Sequence, residues 1–223
     1  MRHIALMLVL ALGAGGCATK PVRPRVVVTV EPLPSETKWR TIANAEDQAR
    51  IDALGGQFVR ALAAVPRRYR AQITAEGALL DPAAAQAVPM LPPGPYLCRL
   101  VRLGGRVPVQ TWKPDYCYVD GDEKQLALTK QNGSNLPGGW LFDDQPNRIV
   151  FLGTLRSNHA AVAAPYGPDK QANVAAVIER VAPFRWRMVL AQAGKGAALD
   201  VYELIPVTPA TTVIAPAAAP RLK

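Results

Sequence analysis

The sequence predicts an α+β fold that is mainly β: an N-terminal helix or helix pair packed on an antiparallel meander of about eight strands, closed or nearly closed into a barrel. Three observations lead to this prediction. An apolar stripe with helical spacing ends at Pro66, short runs of β-forming residues follow one another from Pro92, and proline or glycine separates these runs. Short strands in succession, joined by tight turns, are typical of antiparallel barrels.

Residues 1–16 have the pattern of a lipoprotein signal peptide. Arg2 precedes the unbroken apolar run Ile4–Leu12, and small residues lie directly before Cys17. The run is too short to span a bilayer, which needs about 20 residues, but it fits the apolar region of a secretory signal. The usual motif has leucine three residues before the cysteine, where this chain has Ala14. An ordinary secretory signal cut nearby is therefore the alternative.

Cleavage before Cys17 predicts a lipid anchor at the new N-terminus. The Cys17 thiol would carry a diacylglycerol, and several acyl chains together hold a protein firmly on a membrane. Ala18 is the next residue, which favours the outer membrane under proteobacterial sorting rules. We therefore expect an extracytoplasmic protein on the periplasmic face of the outer membrane. Residues 17–38 are proline-rich and are predicted to be a flexible tether.

The charge of the chain bears on its partners. Loss of Arg2 with the signal peptide would leave 25 basic and 17 acidic residues, a net charge of +8 that would attract the protein to anionic lipid or lipopolysaccharide. The favoured alternative is that the densest basic patch, Arg67, Arg68 and Arg70, is a solvated helix or loop face. Nucleic acid is not an expected partner, because an exported protein seldom meets it.

Two cysteines remain after the lipidated one, Cys98 and Cys117. An even number of cysteines in an oxidising compartment predicts a disulfide. A zinc pair is the alternative, but His159 is the only histidine after the signal peptide, and carboxylates would have to complete the site. The sequence therefore favours a Cys98–Cys117 disulfide and no metal or other cofactor.

The helical region is predicted to begin near Ser35 or Thr37, either of which is a suitable N-cap, and to end at Pro66. Its apolar residues recur three and four positions apart: Ile51, Leu54, Phe58, Ala61, Leu62 and Val65. Gly55-Gly56 favours a kink or break inside it. A second helical segment is predicted over Tyr69–Leu80.

The β region contains eight predicted strands, and the pair Asn132-Gly133 marks a tight turn between two of them. The runs are Tyr96–Leu103, Tyr116–Val119, Gln125–Lys130, Gly139–Phe142, Arg148–Leu155, Val174–Val181, Arg185–Leu190 and Leu199–Ile205. Together with the helices they form one predicted domain, residues 39–207. Residues 208–223 are rich in proline and alanine and are predicted to be a disordered tail.

No motif for nucleophilic, metal or phosphate chemistry is present in the sequence. Five aromatic residues are candidates for lining a ligand pocket in a barrel mouth: Tyr96, Trp112, Tyr116, Trp140 and Trp186. Packing in the barrel core is the favoured alternative for them.

Paired carboxylates are the remaining route to catalysis, since glycoside hydrolysis needs only two acids a few ångströms apart. Glu76, Glu179 and Glu203 are the candidates. For Glu179 the simpler interpretation is an ion pair with Arg180 on a strand.

Several motifs along the domain resemble those of the domain-of-unknown-function family numbered 4893, which contains short exported proteins and lipoproteins of Gram-negative bacteria. The segments are Trp39-Arg40 with Asp47 and Arg50, Ala75–Leu80, Tyr96 to Arg99 with Leu103-Gly104, Tyr116 to Tyr118, Val150–Leu155, Tyr166-Gly167 with Asp169, Glu179–Val181, Arg185–Arg187 and Asp200–Leu204. The resemblance covers about residues 39–206. It implies no activity, and therefore no catalytic residue and no cofactor.

The sequence favours a non-enzymatic, lipid-anchored binding or envelope-maintenance protein. Its expected partners are the membrane, through the anchor, and a periplasmic protein or a small apolar ligand. One alternative is an inhibitor of a periplasmic hydrolase, by analogy at the level of the fold. Another is an envelope enzyme that uses paired carboxylates.

Overall fold

A computed structural model describes residues 36–122, 125–156, 165–167 and 171–207. The predicted signal peptide, Cys17 and the predicted tail 208–223 lie outside these residues. Most of the predicted tether 17–38 also lies outside the described residues. Its last three residues belong to helix α1, which begins at Glu36.

The helical region has an N-terminal helix pair and a shorter third helix. Helix α1 spans Glu36–Ile42, α2 spans Ala45–Ala63 and α3 spans Arg70–Glu76. Single turns of 3-10 helix, Arg67–Tyr69 and Gly77–Leu80, flank α3. The second predicted segment is thus present as alternating 3-10 and α turns.

The break in the first helix lies at Asn44 and not at the predicted Gly55-Gly56 pair. The Asn44 side chain accepts a hydrogen bond from the Asp47 amide at 2.8 Å, which caps the N-terminus of α2. Helix α2 continues through both glycines, and Leu54 and Phe58 on either side of them are buried. Packing of these neighbours outweighs the low helix propensity of glycine, which is worth only about 1 kcal/mol per residue.

The β region has nine strands. They are β1 Gly94–Leu103, β2 Val109–Thr111, β3 Asp115–Asp122, β4 Gln125–Lys130, β5 Leu136–Gln145, β6 Arg148–Arg156, β7 Asn173–Ala182, β8 Arg185–Leu190 and β9 Leu199–Pro206. The eight predicted strands are all present, and β2 is additional. Three residues are too few to show an alternating pattern, so no local signal marked β2.

The strands close into a barrel because β1 has partners on both of its edges. Strand β9 pairs antiparallel with β1 from Tyr96 to Leu103. The other edge of β1 is shared, since β3 pairs with residues 94–98 and β2 with residues 101–103. Strands β3 to β9 follow in chain order. The predicted mainly β, antiparallel barrel is confirmed, with β2 as an extra strand outside the closed circuit of eight.

Successive side chains along each strand point alternately into the barrel and out from it, so the apolar residues form an interior cluster and an outer-wall cluster. On β8, Trp186 and Met188 belong to the interior cluster, whereas Val189 belongs to the cluster that includes the helices. The interior is filled with side chains, and the rings of Tyr96 and Trp186 meet edge to face with centroids 6.1 Å apart. The middle of the barrel is therefore a packed core.

Helix α2 covers part of the outer wall. Its buried stripe of Ile51, Leu54, Phe58 and Ala61 joins one apolar cluster with wall residues of β6 to β9. Burying each large aliphatic or aromatic side chain contributes about 1.5–3 kcal/mol. Among the described residues, no helix has the length and apolar character needed to cross a membrane.

Glycines let β5 and β6 approach closely. Gly139 and Gly153 face each other in the register of this pair. A Cβ atom on Gly139 would lie 2.4 Å from the Gly153 Cα, which no side chain tolerates. The two glycines therefore permit this part of the wall to close.

Candidate functional site

The two ends of the barrel differ in chemistry. At one end β1 and β6 begin and β7 and β9 finish, and we call this the apolar end. At the other end β1 finishes and β9 begins, and we call this the polar end. Each end has a cavity, and the packed interior lies between them.

The cavity at the apolar end, the apolar cavity, has a volume of about 780 Å³. Its wall is formed by the segment before β1, by the ends of the hairpin β3–β4 and by the end of β5. The apolar lining residues are Met90, Leu91, Pro92, Pro93, Leu126, Leu141 and Phe142, and the charged ones are Lys38, Asp122 and Asp143. Such a lining accommodates an apolar group and leaves charged groups for a polar one.

Two side chains from the packed interior hold one wall of the apolar cavity in place. The Trp186 Nε1 donates to the carbonyl of Pro89 at 2.9 Å, and the Tyr96 hydroxyl donates to the carbonyl of Pro92 at 2.7 Å. Burial raises the pKa of Tyr96 to about 12, so its phenol stays protonated and keeps donating at neutral pH. The segment 89–92 is thereby anchored to the barrel.

The polar end contains two ion pairs on interior-facing positions. Arg102 binds Asp200 through two hydrogen bonds of 2.6 and 2.7 Å. Lys130 lies 2.7 Å from the Asp115 carboxylate and donates to the carbonyls of Asn132 and Ser134. The bond to Asp200 raises the pKa of Arg102. Both cations and both carboxylates thus have opposite charges beside them.

Two cavities of about 400 and 240 Å³ open at this end and share Arg102, Asn135 and Tyr202; together we call them the polar cavity. Trp112 forms part of the wall, and the Arg102 guanidinium lies 5.5 Å from its ring centroid. Tyr202 is only 2% exposed, and burial raises its pKa. Its hydroxyl makes no hydrogen bond to any residue that the structure describes.

The five aromatic candidates do not meet in one pocket. Trp112 lines the polar cavity, whereas Tyr96 and Trp186 pack in the interior and position the wall of the apolar cavity. Tyr116 and Trp140 point outward and are 54% and 47% exposed. The residues Met90, Arg102 and Tyr202, which line the two cavities, were not among the candidates.

A sequence signal for the polar end does exist. Interior-facing alternation along β1 runs from Cys98 through Leu100 to Arg102, and along β4 from Leu128 to Lys130. A charged residue that ends an apolar, interior-facing series predicts a polar barrel mouth. For Met90 no comparable signal is present, because it lies in an irregular segment.

The carboxylate candidates are engaged by arginines. Arg99 donates to Glu76 with both terminal nitrogens and to Glu203 from Nε at 2.7 Å, so Glu76 and Glu203 do converge. Glu179 does not join them. It pairs with Arg187 at 2.6 Å across β7 and β8, and not with the predicted Arg180. Adjacent residues on a strand point to opposite faces, which explains this difference.

These ion pairs also connect the helical layer to the barrel. Glu76 ends α3, and the Arg185 side chain on β8 donates both to its carbonyl and to the Glu203 carboxylate. Arg187 donates to the carbonyl of Asp81 at 2.6 Å. The arrangement therefore holds the segment 76–82 against the barrel wall.

The predicted disulfide is confirmed. Cys98 on β1 and Cys117 on β3 are bonded, and both lie in the barrel interior with at most 2% exposure. Cys17, the predicted lipidation site, lies outside the described residues. Among the described residues, no three histidine, cysteine or acidic side chains cluster in a way that suits a metal ion.

The chain is thus a disulfide-bonded antiparallel barrel with helices packed on its outer wall and a cavity at each end. A family profile described as a domain of unknown function, DUF4893, matches residues 39–204. The chain belongs to this family, which confirms the resemblance seen in the sequence. No curated protein and no solved structure matches the chain.

Proposed function

We propose that this protein is a lipid-anchored binding protein of the cell envelope, and that the apolar cavity holds the acyl chain of a lipid. One observation carries the proposal: a cavity of about 780 Å³ with a largely apolar lining opens at one end of a barrel whose middle is filled with side chains. Ligand cavities in proteins have volumes of about 300–1,000 Å³ and apolar walls.

The charges around the apolar cavity suit an amphipathic ligand. Lys38 of α1 lines it, as do Asp122 and Asp143. An acyl chain would bury its methylenes against Leu126 and Leu141, each worth about 0.8 kcal/mol. Its polar headgroup would remain beside the charged side chains, where it stays hydrated.

The anchor would keep this cavity close to its ligand. Lys38 lies 21 positions after Cys17, so an extended tether would place the cavity at most roughly 70 Å from the membrane surface. A periplasmic protein on such a tether meets lipid at a high effective concentration. The outer membrane is the proposed location, because Ala18 follows the lipidated cysteine.

Binding without catalysis is the proposed role. The carboxylates that were candidates for acid–base chemistry are engaged by arginine guanidiniums in ion pairs. Glu76 shares Arg99 with Glu203, and Glu179 is paired with Arg187. A carboxylate whose oxygens are occupied by guanidinium hydrogen bonds is poorly placed to exchange a proton with a substrate.

The proposal is tested with an anthroyloxy-labelled stearic acid, whose fluorescence increases in an apolar environment. We expect saturable binding to the wild-type protein, and a loss of about tenfold or more in affinity for Met90→Asp, which adds a charge to the lining. Met90 is 40% exposed, so this variant should fold.

Val107→Asp is the matched control, because Val107 is 41% exposed and lies between β1 and β2, away from the lining residues. It should bind the probe like the wild type. No saturable binding by the wild-type protein, or equal affinities for the two variants, would refute the proposal.

A further inference from the structure

The polar cavity has the properties of a second binding site at the end of the barrel opposite the apolar cavity. Its volumes of about 400 and 240 Å³ suit a small polar ligand. The side chains that line it include an indole, a guanidinium, a phenol and a carboxamide. These groups offer an aromatic face, hydrogen-bond donors and hydrogen-bond acceptors in one place.

The strongest indication of a ligand is Tyr202. Its side chain is nearly completely buried, it lines both parts of the cavity, and within the described residues its hydroxyl has no hydrogen-bond partner. The hydroxyl oxygen is not among the buried side-chain atoms that lack a partner, so it is accessible from the cavity. A fixed hydroxyl that faces a cavity and has no protein partner is free to donate to, and accept from, a group that enters the cavity.

The charged residues of the polar cavity limit the kinds of ligand that it can bind. Arg102 is paired with Asp200, and Lys130 with Asp115. A charged ligand group beside these two pairs would therefore have to compete with a partner already in place, and the other two lysines of the lining, Lys113 and Lys195, are exposed. The hydrogen-bonding groups beside these pairs include two neutral ones, the Tyr202 hydroxyl and the Asn135 side chain, and the Nη1 of the Arg102 guanidinium, which makes no hydrogen bond to a described residue.

A hydroxyl-rich ligand fits these groups. Each sugar hydroxyl both donates and accepts, which matches Tyr202 and Asn135. The C–H face of a sugar ring is apolar and packs on an indole such as Trp112. We propose that the polar cavity binds a saccharide unit of a glycan. This site is separate from the apolar cavity, and the proposal does not depend on the proposed function.

The test uses the full-length protein purified in a detergent without a sugar headgroup, and saturation-transfer NMR with two neutral probes. The probes are the tetramers of β-1,4-linked N-acetylglucosamine and of α-1,4-linked glucose. We expect at least one tetramer to bind. Tyr202→Phe removes only the hydroxyl and should weaken binding about fivefold to tenfold. Trp112→Ala should abolish it.

Two matched controls carry the same substitutions on exposed residues of the outer wall. Tyr116→Phe and Trp140→Ala should bind like the wild type, since these side chains are 54% and 47% exposed. Met90→Asp should also retain saccharide binding, which separates this site from the apolar cavity. A thermal melt of Tyr202→Phe close to that of the wild type shows that its fold is intact.

Three results would overturn the proposal. They are the absence of binding of either tetramer at millimolar concentration, unchanged affinity of both Tyr202→Phe and Trp112→Ala, and binding of inorganic phosphate in place of the neutral saccharides. The last result would mean that the cavity selects an anion.

Discussion

Arg187 of β8 faces Glu179 of β7 across a hydrogen-bonded strand pair, and the arginine Nε donates to the carboxylate at 2.6 Å. The arginine is 1% exposed, and its guanidinium lies 4.9 Å from the ring centroid of Phe58 on α2. It also reaches the carbonyl of Asp81. One buried cation thus links the barrel wall, helix α2 and the segment after α3, and Glu179 is its carboxylate partner.

Glu179→Ala should therefore destabilise the protein strongly. The substitution leaves the Arg187 charge buried without a carboxylate, and breaking a buried pair in this way costs about 3–5 kcal/mol. The measurement is the free energy of unfolding from urea denaturation at neutral pH.

Asp52→Ala is the control for this prediction. Asp52 pairs with Arg40 on the surface, where their side chains are 49% and 40% exposed. An exposed pair contributes at most about 1 kcal/mol. Equal losses in stability for Glu179→Ala and Asp52→Ala would show that Arg187 does not depend on its partner.

The disulfide should stabilise the domain and resist reduction in the folded state. Closing the 19-residue separation between Cys98 and Cys117 is worth about 3 kcal/mol in the chain-entropy account. We expect the double variant Cys98→Ala, Cys117→Ala to lose about that much stability in urea. Because the two sulfurs are bonded to each other, thiol titration of the unreduced protein in denaturant should find neither of them; two reactive thiols there would contradict the bond.

Stability should decrease at alkaline pH because of Tyr96. Burial raises its pKa from 10.0 to about 12, so the folded protein binds the phenol proton more tightly than the unfolded chain does. Its contribution is complete below pH 10 and is lost as the pH rises toward 12, with a slope of at most about 1.4 kcal/mol per pH unit.

Tyr96→Phe tests this dependence. Comparison of urea unfolding at about pH 9 and about pH 11 should show a smaller decrease in stability for the variant than for the wild type. The same decrease in both proteins would mean that another group is responsible. The variant should also be less stable at neutral pH by about 1 kcal/mol, since it lacks the bond to Pro92.

Membrane attachment should depend on Cys17. Cys17→Ser removes the thiol that would carry the lipid, so we expect the protein to move from the membrane fraction to the soluble periplasmic fraction. Fractionation followed by immunoblotting measures this, with Cys98→Ser as a control that keeps the anchor. Equal retention of the Cys17→Ser protein in the membrane fraction would refute lipid anchoring.

The sequence alone specified those parts of the fold that depend on neighbours along the chain. Alternation of apolar and polar residues located eight strands, and helical spacing located the buried stripe of α2. The number of cysteines after Cys17 specified the Cys98–Cys117 bond. The strands and the helix depend on neighbours along the chain, so the periodicity of apolar residues is sufficient to find them. The disulfide follows from the number of cysteines, because only two remain to pair.

The tertiary structure decided what depends on residues that are distant in sequence. It paired Glu179 with Arg187 instead of Arg180, and it moved the helix break from the glycine pair to Asn44. It also placed the Arg102 and Asp200 side chains, 98 positions apart, at one mouth of the barrel. Register and closure of the sheet determine these contacts, because a strand position has no neighbour across the sheet until the strands have paired.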